Sequence, residues 1–373
     1  MPPVRATADA TPIGDNGGFP RSPMPLPRPS PEAPGASPLA ATETPPQAAR
    51  ATWWRHVLMW GVGLGLLGWM LHKVPMASVL AALARPTLAD WSLTLGGLAA
   101  SYGLRAGRLQ VVMGLNERHD AAPRWLGLRL DALRVILMHN AAVNLLPMRA
   151  GELSFPFLAS RELGMPVARA VASLLWMRLQ DLAVLVSLGL LCWPTLPWPL
   201  RLAGLAAVAA GWHLGLWLLR HLHDTRAKPA GWRALVHKLH DALLEPHQQA
   251  SATWAFTWAN WAIKLLAGAW LIAAITQAPL APAWSGALGG ELAAIAPVQG
   301  PAGLGTYEAG VWAGLHLGTG TDLAAALPAA LALHLCFLCC AVLAGLMAWM
   351  AGARWSDQTP SVAQSPSASR NPD

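Results

Sequence analysis

The chain is short of charge. Asp, Glu, Lys and Arg supply only 12% of its 373 residues against 54% hydrophobic ones, and the mean hydropathy is +0.38. That shortage excludes an ordinary soluble enzyme and fits a polytopic membrane protein. Cysteine is scarce as well: Cys192 stands alone, and Cys336, Cys339 and Cys340 share one apolar run. No disulfide framework follows from four such thiols, and no second Cys/His pair stands at a zinc-type spacing, so they read as small core residues. The net charge of +7 comes from basic residues gathered in loops between apolar runs. A nucleic-acid partner would call for a Lys/Arg stripe with interleaved aromatics, which is missing. A nucleotide site is missing too, because the Gly300-Pro-Ala-Gly-Leu-Gly305 run has no Lys-Ser/Thr after it and no strand before it. His139, His213, His316 and His334 are scattered without ligand spacing and read as hydrogen-bonded core residues. No metal or other cofactor is expected.

The apolar runs themselves divide the chain. Residues 1–50 are rich in Pro, Ala, Ser and Thr and read as a disordered tail; the first apolar run, near Val57, starts too late for a signal peptide. Residues 51–353 form the membrane domain, and 354–373 a second polar tail. Within the domain, Trp53-Trp54-Arg55-His56 anchors a first span over 57–71, and a short amphipathic piece lies at 76–84. Further spans are expected at 88–104, 126–146, 168–193, 200–219, 253–276, 284–295 and 323–350. Arg105, Arg108, Arg118 and Arg124 are placed in a loop, and the 220–249 segment is a second basic loop. By the positive-inside rule both face the cytoplasm, with the two termini, while the turns at 194–199 and 277–283 carry no Lys or Arg and face outward.

Parity then bears on two segments. The chain is inside at 124 and again at 168, and outside at 280 and again at 322, so each intervening segment must enter and return. Both coincide with polar, broken sequence: Asn144-Leu-Leu-Pro147-Met-Arg149-Ala-Gly151-Glu152, and Pro297-Val-Gln-Gly300-Pro-Ala-Gly303-Leu-Gly305-Thr-Tyr-Glu308. Two interrupted segments of opposite sense point to an inverted-repeat transporter. The expected fold is therefore an all-α polytopic membrane protein of about eight transmembrane helices with two re-entrant hairpins.

Charges near a bilayer centre cost about 2.5–3.5 kcal/mol each even on lenient scales, so they are candidates for function. Pro147 can open a short helix whose free amides face an anion, with Arg149 in its first turn and Glu152 on the same face. Arg149 and Glu152 could hold a phosphate or close the hairpin as an ion pair. Arg178 and Asp181 share a face near the middle of their span, where they could cradle a headgroup or join helices. Lys264, with Asn260 one turn before it, is a further midplane cation. Glu291 and Glu308 supply carboxylates in the second half, and Gly303 and Gly305 give the second hairpin a flexible tip.

The motifs Asn144-Leu-Leu-Pro147-x-Arg149-Ala-Gly151-Glu152, Arg178-x-x-Asp181 and Gly303-Leu-Gly305-x-x-Glu308 together resemble the lysylphosphatidylglycerol synthase transmembrane family over about residues 55–350. The resemblance implies an inner-membrane, flippase-like domain that moves modified phospholipid between leaflets beside a cytoplasmic synthase domain. That synthase domain is not expected here. Family members often carry a basic residue shortly after the Gly-Glu pair and an acidic one before the Arg of Arg-x-x-Asp; this chain has Ser154-Phe155-Pro156-Phe157 and Met177. The expected function is translocation of an anionic, modified or polyprenyl-linked lipid, with Asn144, Arg149, Glu152, Arg178, Asp181, Lys264 and Glu308 at the headgroup and Pro147, Gly151, Pro297, Gly303 and Gly305 shaping the hairpins. An intramembrane lipid transferase and a scaffold for lipid-synthesis enzymes are the other readings. Partners are membrane lipids, with a homo-oligomer or lipid-synthesis enzymes possible beside them.

Overall fold

The computed structural model describes residues 76–117, 122–193, 195–221, 232–295 and 301–356. The expected N-terminal tail, the first span over 57–71, Pro297 and the tail beyond 356 lie outside the described residues. What is described is almost entirely helical: α1 (Met76–Ala84), α2 (Leu88–Val112), α3 (Leu130–Leu145), α4 (Ser154–Leu163), α5 (Val167–Cys192), α6 (Trp198–His221), α7 (Trp232–Leu243), α8 (Pro246–Gln249), α9 (Ser251–Thr276), α10 (Leu280–Ile295), α11 (Thr306–Thr319) and α12 (Leu323–Ser356). One two-stranded ribbon, Arg124–Trp125 with Leu128–Arg129, leads into α3. Among the described residues four helices are long and apolar enough to cross a bilayer: Val167–Cys192, Trp198–His221, Ser251–Thr276 and Leu323–Gly352. The chain is thus an all-α membrane protein.

Two placements differ from the sequence reading. Helix α2 does not stop at residue 104. Thr87 and Asp90 close a capping box at its start, and the helix continues through Val112, so Arg105 and Arg108 lie within it and not in a loop. Their charge had marked them as loop residues; Asp181 of α5 holds Arg108 inside, and Asn140 of α3 holds Arg105. The segment after 305 is a true helix, α11, and not a simple return.

The two broken segments are helical hairpins. Leu146 is extended because the following Pro147 disfavours the helical conformation in its predecessor, and the chain then turns through a 3-10 helix over Pro147–Leu153. Gly151 fits there because a Cβ would lie 2.3 Å from the Ala142 carbonyl oxygen. His139 bonds Ser154 while Arg134 pairs with Glu162, so α3 and α4 run antiparallel. The second hairpin likewise packs α10 antiparallel against α11. A Cβ on Gly310 would lie 2.3 Å from the Gly289 carbonyl oxygen and one on Gly314 would lie 2.0 Å from that of Ser285. Lipid gives no hydrophobic drive between helices, so such close backbone approach is what holds them together.

Helix α12 ties the hairpins to each other. Its His334 meets Glu308 and Gly303 of the second hairpin, Gly345 meets Ala141 of the first, and Arg134 bonds the Ala348 carbonyl. Along α12 the neighbours therefore pass from one hairpin to the other. The hairpins lie end to end, and their 3-10 tips touch. Each has its own apolar cluster: Val135, Ile136, Phe155 and Leu163 with Leu109 and Met177 for the first, Leu288, Val311 and Leu315 with Ile272 and Leu333 for the second. α2 and α9 pack antiparallel beside them, with Gly97 against Ala267 and Gly107 against Phe256.

Candidate functional site

A cavity of about 570 Å³ opens where the hairpin tips meet, walled by α2, α3, α5, α9, α10 and α12. It lies at mid-height: Arg178 is roughly 16 Å along α5 and Lys264 roughly 20 Å along α9, at 1.5 Å per residue. Its charged lining comprises Arg105, Arg178, Lys264, Glu152, Asp181 and Glu291, with Tyr102, Asn140, Asn144, Asn260, Tyr307 and His334 between them. On α5 the wall continues into Leu175, Leu179 and Leu182, which face outward.

Most of these charges already have partners. Arg178 grips Glu152 at 2.9 Å, with a further contact at 3.3 Å from Nε, and reaches Asp181 at 3.3 Å. Asp181 is the node of the network. It also accepts from Arg108 Nη1 at 2.6 Å and from Trp261 Nε1 at 3.0 Å. Arg108 is almost fully buried and donates besides to the Met177 carbonyl at 2.5 Å. His139 Nε2 lies 3.4 Å from Glu152, and its ring stacks edge-on to Phe155. On the other side Lys264 Nζ bonds Glu291 at 2.6 Å, and the Tyr307 hydroxyl donates to the same carboxylate at 3.4 Å.

Arg105 stands apart. Among the described residues it has no carboxylate within 4.0 Å; its guanidinium donates to Asn140 Oδ1 at 2.9 Å, and Asn140 in turn donates to the Tyr102 hydroxyl at 3.3 Å. It is a cation held in position at the cavity wall with its charge unmatched by a direct partner there.

Of the residues expected at the headgroup, Asn144, Glu152, Arg178, Asp181 and Lys264 all line the cavity, and Gly303 with them. Glu308 does not. It is fully buried behind His334, whose Nδ1 sits 2.6 Å from Glu308 Oε1, and its other oxygen accepts from the Gly305 amide at 2.7 Å. Gly305 and Gly303 take positive φ values of 86° and 76°, which glycine adopts without a steric penalty. Pro147 and Arg149 sit on the first 3-10 turn, but their side chains fall outside the described part of the structure. Sequence reasoning missed Arg105, Arg108, His139 and His334 as members of this cluster. The signal for Arg105 and Arg108 was available: continuing the helical pattern from Thr87 would have put both on one face of α2, three residues apart.

No curated protein matches the chain. A family model for the lysylphosphatidylglycerol synthase TM region matches residues 56–345, which takes in every residue that lines the cavity. The family implies association with membrane lipids, and the opposed hairpins with their charged cavity belong to the matched stretch. This chain is a member of the lysylphosphatidylglycerol synthase TM region family.

Proposed function

We propose that the chain is a lipid translocase of the inner membrane, in which an anionic headgroup is held in the mid-height cavity while the acyl chains lie along the outward leucines of α5. The observation that carries this reading is Arg105. Arg178, Arg108 and Lys264 are engaged by carboxylates at 2.6–2.9 Å, whereas among the described residues Arg105 is fixed only by the neutral Asn140. A charge kept without a counter-ion at this depth is costly unless a ligand supplies one. A phosphodiester does so, since guanidinium groups suit its oxygens. Arg178, which the sequence alone suggested as an anion contact beside Arg149, becomes the brace that orients Glu152 and Asp181.

In this reading the two helical hairpins are re-entrant, one from each face of the membrane, within an inverted repeat of about eight spans and with both termini in the cytoplasm. The end-to-end placement of the hairpins along α12 supports it. Their broken backbone is tolerable at membrane depth because it lines a cavity. The engagement of the carboxylates by Arg, Lys and His favours transport over a transferase that would need one of them as a free base.

The test is leaflet exchange in liposomes holding the purified protein, read by dithionite quenching of NBD-phosphatidylglycerol and NBD-phosphatidylcholine. Acceleration of the anionic probe above the zwitterionic one is expected. Equal, protein-independent rates for both would defeat the proposal. Cysteine accessibility across 140–168 and 284–322, probed from each side with an impermeant reagent, tests the hairpins: positions in one hairpin should label from one face only and those in the other from the opposite face.

A further inference from the structure

We infer that His334 and Glu308 form a proton-binding site at the tip of the second hairpin, which couples movement of the anionic headgroup to a proton gradient; the coupling rests on the translocase reading above. The geometry is specific. Glu308 is fully buried, and its partners are the Gly305 amide at 2.7 Å and His334 Nδ1 at 2.6 Å. An ionised carboxylate only accepts hydrogen bonds, so the imidazole must present Nδ1–H to it, and a neutral ring then has a bare Nε2. That nitrogen points where a proton can reach it. A Cβ added to Gly303 would lie 3.6 Å from both Cε1 and Nε2, so the absence of a side chain there leaves this edge of the ring open, and both residues line the cavity. Among the described residues no group hydrogen-bonds Nε2.

The proton balance is simple. With Nδ1–H on Glu308, the neutral-ring pair carries one negative charge. A proton taken from cavity water at Nε2 makes the imidazolium–carboxylate pair neutral, and its release to water on the other side restores the starting state. No bond other than N–H forms or breaks. The neighbouring groups are Tyr307, whose ring packs on His334 at 4.5 Å; Glu291 on α10, bonded to Tyr307; Lys264 on α9, bonded to Glu291; and Cys336 on α12. Tyr102 of α2 faces the same cavity, and α1, which also packs on α12, carries no titratable group. Since Lys264 is matched by Glu291, the charge of this side of the cavity follows the state of the His334–Glu308 pair. A negative pair repels an entering phosphate and a neutral one admits it, so proton and headgroup move together.

The first hairpin has a similar pair, His139 with Glu152, but it is not equivalent. Arg178 Nη2 lies 3.4 Å from His139 Nε2, so a proton arriving there would meet a guanidinium. The second hairpin alone has the open edge.

Two measurements test the inference. In the purified full-length protein labelled with 15N-histidine, the ring signal lost in His334→Gln should change protonation state as the pH is varied, and should no longer do so in Glu308→Gln. In liposomes, a gradient of one pH unit should bias the leaflet ratio of NBD-phosphatidylglycerol by up to about tenfold for one proton per headgroup. A protonophore and Glu308→Gln should each abolish the bias. A His334 ring that stays in one state at every pH at which the protein remains folded overturns the proton site, whatever the lipid assay shows. Protein-dependent exchange indifferent to the gradient overturns the coupling and leaves the translocase reading standing. A titrating ring without any exchange overturns the translocase reading and the coupling with it.

Discussion

Removing the charge of Arg105 should separate binding from folding more cleanly than any other substitution in the cavity. A phosphate oxygen about 4 Å from a guanidinium gains about 4 kcal/mol of Coulomb energy at an effective dielectric constant near 20. Part of that is lost to desolvation, and hydrogen bonds to charged groups contribute about 1.5–3 kcal/mol net. At about 1.4 kcal/mol per decade, Arg105→Gln should weaken binding of an anionic headgroup by roughly ten- to a hundredfold. Its fold should survive, because among the described residues the native guanidinium hydrogen-bonds only Asn140, a neutral partner that glutamine can also bond. Arg178→Gln should behave in the opposite way. It strips Glu152 of its grip at 2.9 Å and Asp181 of one donor, and losing hydrogen bonds between charged groups in this half-buried pair should cost about 1.5–3 kcal/mol of stability. The assay is isothermal titration of detergent-solubilised protein with a short-chain phosphatidylglycerol, paired with a thermal melt of each variant. Unchanged affinity in Arg105→Gln, or lost affinity in Arg178→Gln with an unchanged melt, would refute the assignment of roles.

The same geometry makes other expectations concrete. Asp181→Asn leaves Arg108 and Arg178 facing a neutral amide, so its melting temperature should fall further than that of Arg105→Gln, as followed by circular dichroism in detergent. Lys264→Met leaves Glu291 buried without its cation, whereas the double variant with Glu291→Leu removes both charges; a thermal double-mutant cycle should therefore show the double variant more stable than Lys264→Met. Gly310→Ala drives a Cβ toward the Gly289 carbonyl and should destabilise by about 1–3 kcal/mol. Gly96→Ala, which meets nothing within 4 Å, should be neutral or slightly stabilising in the same melt.

Composition and hydropathy are enough to assign the class of the protein and the position of its breaks. Apolar runs too long and too poor in charge for a soluble core can only be membrane helices, and Pro147 with Gly151, or Gly303 with Gly305, interrupts a helix wherever it is placed. The sequence also supplied Glu152, Arg178, Asp181 and Lys264, because charge inside such runs is rare enough to stand out. What it left open was which charge answers which. Arg105 and Arg108 lie one helical turn apart and look alike in the chain, yet Arg108 meets Asp181 at 2.6 Å while Arg105 hydrogen-bonds the neutral Asn140. Glu152 and Glu308 likewise occupy comparable places in their motifs, but one lines the cavity and the other is buried behind His334. Pairing depends on the rotation and approach of helices far apart in sequence, such as α2 against α5 and α11 against α12. Those angles are set by close packing at glycines and small residues, so they emerge only once the helices are assembled.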